Sequence, residues 1–437
     1  MTSQAEIERY MKENLLLKKQ IEERTGKTVE QLYEERAKRV RNAVELKEPD
    51  RVPFSIIADI DAYAGIPNSV AYYEPITLKQ AMRKMAVDLE PDMAEGGFPA
   101  SGAAMTELNV KNMLWPGGPL PPDYAHQAVE GEYMKADEYD LFLKDPTGFM
   151  IRCYLPRVYG ALKPLSKLPP IDSMYMGFDF LTPIFNSPEF VEMAKHLSEA
   201  GKHIEEFRKI VMETAGDLEQ LGFPPFASFA ARGVGGAPFD TLTSSLRGMK
   251  GAMLDMYRQP DKVIQACDTI LERRIARGVP ADPNAKDYPQ KVAMPLWRGD
   301  PSFMSEEQFK KFYWPGLKKS LQTHVDLGYV PVPFFEAPFG ERLKYLLELP
   351  KGKILPSIDA ADIEIAKELL GGHACLLVRC PLACKVWSLN QMESFLKDLV
   401  DKWGKQSGLI IVVMMPNNVP IEGIQAMLKS FKEYSRY

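Results

Sequence analysis

From Arg51 onward the chain alternates short apolar or β-branched runs with longer amphipathic stretches, and no other feature narrows its possible folds so far. The runs that read as strands are VPFSIIADI (52–60), FPPFASFAARG (223–233), KVAMPLWRGD (291–300), YVPVPFFEA (329–337), GKILPSIDA (352–360), HACLLVRCP (373–381) and SGLIIVVMMP (407–416). Such alternation predicts a parallel α/β sheet with helical crossovers. The last five runs recur at the spacing of a βα unit, which favours a closed (β/α)8 TIM barrel over an open doubly wound sheet. At 437 residues the chain accommodates one such barrel with insertions. Helix starts are also marked, as at Ser305 to Gln308, a capping box opening the stretch SEEQFKKFYWPGLKKSLQTHVDLG.

Residues 2–47 read as one or two charged helices broken near Gly26, with Leu15, Leu16, Leu17 and Ile21 on the side able to pack. The chain thus divides into an N-terminal helical arm, 1–48, and a barrel, 49–437. The stretch from Gly96 to Pro146 is rich in Pro and Gly and reads as long loops over one barrel face. Apolar residues at 45% and charged residues at 26% are the balance of a globular protein. A net charge of −5 without a basic block points away from nucleic acid and from anionic membrane surfaces. No window reaches about 18 uninterrupted apolar residues, and the first residues lack the pattern of a secretion signal, so a cytoplasmic protein is expected. Five cysteines, an odd number in a large chain, suggest reduced thiols.

Several chemistries are set aside by missing motifs. ARGVGGAPFD has neither phosphate-loop nor dinucleotide spacing, and neither G-x-S-x-G nor H-E-x-x-H occurs. The histidines show no ligand spacing and read as structural. In a barrel the strand C-termini point into the mouth, so strand ends nominate Asp59, Asp61, Arg232, Arg298, Asp300, Glu336, Asp359, Cys380, Cys384, Asn417 and Asn418. Glu336 stands out because it closes the apolar run VPVPFF. A carboxylate buried there has to be paired with Arg298 or Arg342, bound to a metal, or held protonated. Phe334, Phe335 and Phe339, with Trp297 and Phe303, would line a pocket suited to a planar aromatic guest, although core packing explains them equally well.

From about residue 36 to the C-terminus the sequence resembles the uroporphyrinogen decarboxylase superfamily. The segments that carry the resemblance are RNAVELKEPDRVPF (41–54), GAPFDTLTSSLRGMKGAMLDMYRQPDKV (236–263), PSFMSEEQFKKFYWPGLKKSLQTHVDLGYVPV (301–332), DAADIEIAKELLGG (359–372) and VPIEGIQAMLKSFKEYSRY (419–437). In the decarboxylase an R-Q-A-G-R segment after the first strand receives the substrate's carboxylates. Here the matching stretch SIIADIDAYAG (55–65) holds aspartates and no arginine, which would repel a polyanion. In the thiol-directed methyltransferases of the superfamily, zinc is held by H-x-C and a further cysteine. By position these fall on Phe334, Phe335, Glu336 and near Val413, so only Glu336 could still be a ligand.

A carboxylate suits an oxygen-centred substrate better than a thiol, which directs the resemblance to the ether-cleaving branch of corrinoid-dependent methyltransferases. That branch implies an aryl methyl ether substrate, a corrinoid carried by a partner protein, a homodimer, and zinc held by an irregular set. The set this sequence offers is Glu336 with Cys380 or Cys384, and Asp359. Glu336, Asp359 and Asp300 are the expected catalytic residues. Phe335, Phe339, Trp297, Arg232 and Asn418 are the expected substrate contacts. Methyl transfer from another donor, or decarboxylase-like lysis of a small carboxylic acid held by Arg232 and Arg298, stays open as the alternative.

Overall fold

The computed structural model describes residues 4–437 apart from 58–59, 96–99, 171–178, 180, 228–234, 288, 405–407 and 418. Its strands are β1 (Phe54–Ile56), β2 (Met113–Leu114), β3 (Gln127–Ala128), β4 (Lys291–Leu296), β5 (Val330–Phe335), β6 (Ser357–Asp359), β7 (Leu376–Arg379) and β8 (Leu409–Val413). Six of them form one parallel sheet in the order β1-β8-β7-β6-β5-β4, and β2 and β3 form a separate antiparallel pair. Parallel strands need crossovers, and helices supply them: Trp314–Asp326 between β4 and β5, Ile363–Leu370 between β6 and β7, and Leu389–Trp403 between β7 and β8.

The sheet curls, and its side chains sort by the period of two into an inside and an outside. Val330, Val332, Cys375, Leu377, Ile410 and Val412 meet in an inner cluster. Their strand neighbours Phe335, Ile358, Leu376, Val378, Leu409, Ile411 and Val413 belong instead to the large outer cluster shared with the helices. Both faces are therefore covered, which explains why these runs read as continuously apolar. Single parallel bridges, Ser55 to Met93 and Ala94 to Pro225, carry the curl past β1. A curled sheet of six paired strands is thus described where eight were expected. Of the expected strand 223–233, Pro225 alone is bridged among the described residues.

The arm resolves into two helices, Gln4–Thr25 and Val29–Val44, separated at Gly26, whose φ of +67° suits glycine. Thr28 and Gln31 cap the second helix reciprocally. This second helix is more than an arm. Val40, Ala43 and Val44 enter the inner cluster, closing the end of the curl opposite the strand C-termini. An ion-pair knot holds it there: the fully buried Asp92 accepts from Arg39 at 2.6 Å, from Arg51 at 2.7 and 2.8 Å, and from the Phe54 backbone at 2.9 Å. The capping box at Ser305 and Gln308 forms as the sequence predicts. Among the described residues no helix is long and apolar enough to cross a membrane.

Candidate active site

Register places the interior side chains at the strand C-termini. Phe334 of β5 pairs with Ser357 of β6, Ser357 with Leu377 of β7, and Asp359 with Arg379. Because Leu377 is interior, Ser357 and Phe334 share its layer. Asp359 and Arg379 lie one layer nearer the mouth, on the same face. Glu336 continues that face beyond Phe334, its backbone N–H donating to the Leu296 carbonyl at 3.0 Å. The mouth of the curl thus gathers Phe334, Glu336, Ser357, Asp359 and Arg379.

Arg379 is the fixed point of this group. It is only 8% exposed. Its guanidinium donates to the Phe335 carbonyl, approaches Ser357 Oγ at 3.5 Å and lies 3.8 Å from the Phe334 ring centroid. Burial lowers its pKa, and the fields of Asp359 and Glu336 oppose that. Glu336 itself is exposed to the mouth, since burial on β5 ends at Phe335. Desolvation nevertheless raises its pKa, against the positive fields of Arg379, Arg298 and His126. The carboxyl is therefore available as a proton donor nearer neutrality than an ordinary glutamate.

At the rim, Arg298 donates to Glu130 at 3.1 Å and lies 4.7 Å over the Phe303 ring, while its Nε is buried with no hydrogen-bond partner. Glu130 also accepts from the Met249 backbone, so the segment after β3 is fastened to the mouth through one carboxylate. Beneath Arg298 lies Asp240, 2% exposed, on the short helix Pro238–Thr241. It accepts from the Arg298 backbone at 3.0 Å, from the Trp297 backbone at 3.4 Å and from the Tyr313 hydroxyl at 2.8 Å. Burial outweighs these bonds and pushes its carboxyl up to about 7. Gly299 is obligatory in this turn, because a Cβ there would stand 2.5 Å from the Tyr313 ring and 2.7 Å from that of Phe339.

The remaining sequence candidates divide by face. Phe335 and Phe339 are 3% and 1% exposed, packed with centroids 4.5 Å apart in the outer core. Their alternation partner Phe334 is the ring that turns inward. Trp297 is half-buried and its indole donates to Ser244 Oγ at 2.6 Å. Asp300 is buried and spends its carboxylate on its own turn, accepting from Ser302 N at 2.9 Å. Asp59, Arg232 and Asn418 lie outside the described residues.

Cys380 directly follows Arg379, the last residue of β7, and packs on the opposite side, in the outer core with Cys384. Burial raises the two thiols to about 12 and about 11. Among the described residues no three His, Cys, Asp or Glu side chains are gathered so as to hold a metal ion. The expected zinc set of Glu336, Cys380 and Cys384 therefore does not fit: its members stand on different faces, and its thiols resist the ionisation that ligation requires. Arg379 and Asp240 were not singled out from the sequence. A signal for Arg379 existed, since in LLVRC it shares the parity of Leu377, and an arginine on the inner face of a buried strand needs a reason.

A cavity of about 830 Å³ lies elsewhere, between the arm and the helices Pro75–Leu89 and Pro188–Gln220. It shares no lining residue with the mouth. No family model matches the chain, and no curated protein does. Among solved structures it is similar to a methyltransferase from Methanosarcina mazei, at 15% identity and a TM-score of 0.54, over 91% of this chain and 98% of that one. The two share a fold along nearly their whole lengths.

Proposed function

We propose that this chain is a methyltransferase on a closed (β/α)8 barrel, moving the methyl group of an aryl methyl ether to the Co(I) corrinoid of a partner protein. The observation that carries the reading is the mouth itself, where Glu336 with its raised pKa and the buried Arg379 stand beside the inward ring of Phe334. A fold shared with a methyltransferase agrees with it, as does the sequence resemblance to the ether-cleaving branch.

An aromatic guest would pack against the edge of Phe334, whose face Arg379 covers, with its ether oxygen toward Glu336. The methyl carbon accepts the electron pair of the incoming nucleophile, and the C–O pair departs on oxygen. A phenolate leaves poorly unless it is protonated or its charge is matched, and Glu336 supplies the proton. Asp359, beside Arg379, favours the charged form of the guanidinium against its burial. Because the zinc set does not gather, no step here is routed through a metal.

The test is anoxic incubation with a reduced corrinoid protein and a panel of methyl ethers, amines and thiols, following the corrinoid absorbance and the demethylated product. Methoxylated aromatics are expected to react. Glu336→Gln should slow transfer about a hundredfold, the scale of general acid catalysis. Undiminished transfer by that variant overturns the role of Glu336, and reaction of amines or thiols alone overturns the substrate class. A second reading, decarboxylase-like lysis of a small acid, draws on Arg379 and Arg298 as carboxylate holders, and CO2 release from carboxylic acids without methyl transfer would establish it.

A further inference from the structure

Arg379 poses a problem that the fold does not solve. It is a buried guanidinium, and among the described residues no carboxylate lies within ion-pair distance of it. Arg36, under the arm, is held likewise by the Gly222 carbonyl and the Phe223 ring, but other buried arginines have carboxylate partners. Arg39 and Arg51 share Asp92, Arg247 pairs with Asp255 at 2.6 Å, and Arg342 reaches Glu306 at 3.2 Å. Arg379 has only neutral partners, the Phe335 carbonyl and Ser357 Oγ, with the Phe334 ring under its face. An arginine carries five N–H donors in a fixed fork, so donors are left over. Asp359 and Glu336 act on this buried cation only through their fields, without contact, and its cost falls further if an anion arrives from outside.

The position of that cation is also specific. Glu336 lies on the same interior face, two strands away and level with Asp359 and Arg379, and the two groups feel each other's charge. A guest packed against the edge of Phe334 with an oxygen toward Glu336 would bring that oxygen toward the guanidinium seated on the ring's face.

We propose that Arg379 receives the negative charge that develops on the departing oxygen, doing at this mouth by fixed electrostatics what a Lewis-acid metal does elsewhere. This rests on the methyl-transfer reading above. As the nucleophile's electron pair forms the new bond to the methyl carbon, the C–O pair moves wholly onto oxygen. The charge that gathers on that oxygen is held by Arg379 while Glu336 passes it a proton, and the phenol leaves neutral. No electron is lost or gained by the protein.

Two measurements test this separately from the reaction as a whole. In the first, 4-nitrophenol is titrated into the protein and its phenolate absorbance followed against pH. Wild type is expected to bind the phenolate and hold its pKa below the free value, and Arg379→Gln to abolish the shift, with Arg379→Lys restoring part of it. A bound phenol that titrates as it does in water, or an equal shift in Arg379→Gln, overturns the proposal even if no methyl transfer is ever seen. In the second, kinetics on ethers with increasingly basic phenol leaving groups should show kcat falling about a hundredfold or more in Arg379→Gln with KM little changed, most for the poorest leaving groups. A rise in KM confined to carboxylated substrates, with kcat intact, would instead make Arg379 a holder of a permanent carboxylate and overturn the proposal. If wild type moves no methyl group, the functional reading falls, and the phenolate titration still decides the role of Arg379. Thermal melts of each variant establish that it is folded.

Discussion

The guanidinium of Arg379 lies 3.8 Å from the centroid of the Phe334 ring, on the interior face of a curled parallel sheet. The pair comes from different strands, β5 and β7, and meets across β6 because Phe334, Ser357 and Leu377 are in register. The aromatic and cationic elements of the mouth are therefore set by strand pairing and not by a loop, so substitutions on the two faces of β5 should have separable effects.

Phe335 faces the outer core and Phe334 faces the mouth. Phe335→Ala is expected to destabilise the protein by about 3–5 kcal/mol, the usual result of emptying a buried aromatic site. Phe334→Leu should cost about 1 kcal/mol or less in stability while weakening the binding of aromatic ligands. Urea unfolding alongside ligand titration checks the pair, and equal losses of stability would contradict the assignment of faces.

Asp240 should make stability depend on pH in the direction opposite to an ordinary ion-paired aspartate. Its folded pKa of about 7 lies above the unfolded value of about 3.9, so the folded state holds its proton more tightly. The contribution is complete below about pH 4 and is lost as pH rises through about 7, amounting to about 4 kcal/mol at most. Asp240→Asn keeps an acceptor for the Arg298 backbone and a donor for Tyr313, and its stability should be flat across that window. Chemical denaturation between pH 4 and 8 distinguishes the two proteins.

Asp92 behaves in the ordinary way. Burial raises its carboxyl, but Arg51 and Arg39 more than reverse this and leave it at about 2. Its stabilisation is present above the unfolded pKa and disappears as pH falls toward 2. Asp92→Ala strands the buried Arg51, leaves Arg39 with Asp50 alone, and should cost about 3–5 kcal/mol. Loss of the knot should also loosen helix Val29–Val44 from the inner core, which hydrogen exchange would report first in that helix.

Cys380 and Cys384 should be silent in the native state. Both thiols are buried and raised to about 12 and about 11, so a thiol reagent at pH 8 is expected to label them only after unfolding. Cys380→Ser and Cys384→Ser should leave the metal content of the purified protein unchanged. A fall in bound zinc in either variant would restore the cysteines as ligands.

The sheet strands 291–300, 329–337, 352–360, 373–381 and 407–416 were legible because each is a compact apolar run between strong helix signals. The paired cores that form, such as Leu376–Arg379, are shorter than the runs. The bridge at Met93 and Ala94 was not legible, because two residues carry no periodicity. Burial of Glu336 was inferred from the run preceding it, yet the strand ends at Phe335 and the carboxylate opens to the mouth.

By itself the sequence determined the parallel α/β class, the capped helices and the placing of Glu336 at a strand end, since these depend on local periodicity and on residues within a few positions of each other. Only the tertiary structure decided which of two adjacent phenylalanines faces the mouth, that Cys380 turns away from Glu336, and that Arg379 and Asp240 lie at the mouth and its rim. A period-two run has the same pattern read from either face. The inner face is chosen by the direction of curl and by the helix that fills one end, and both are set by contacts between residues far apart in the chain.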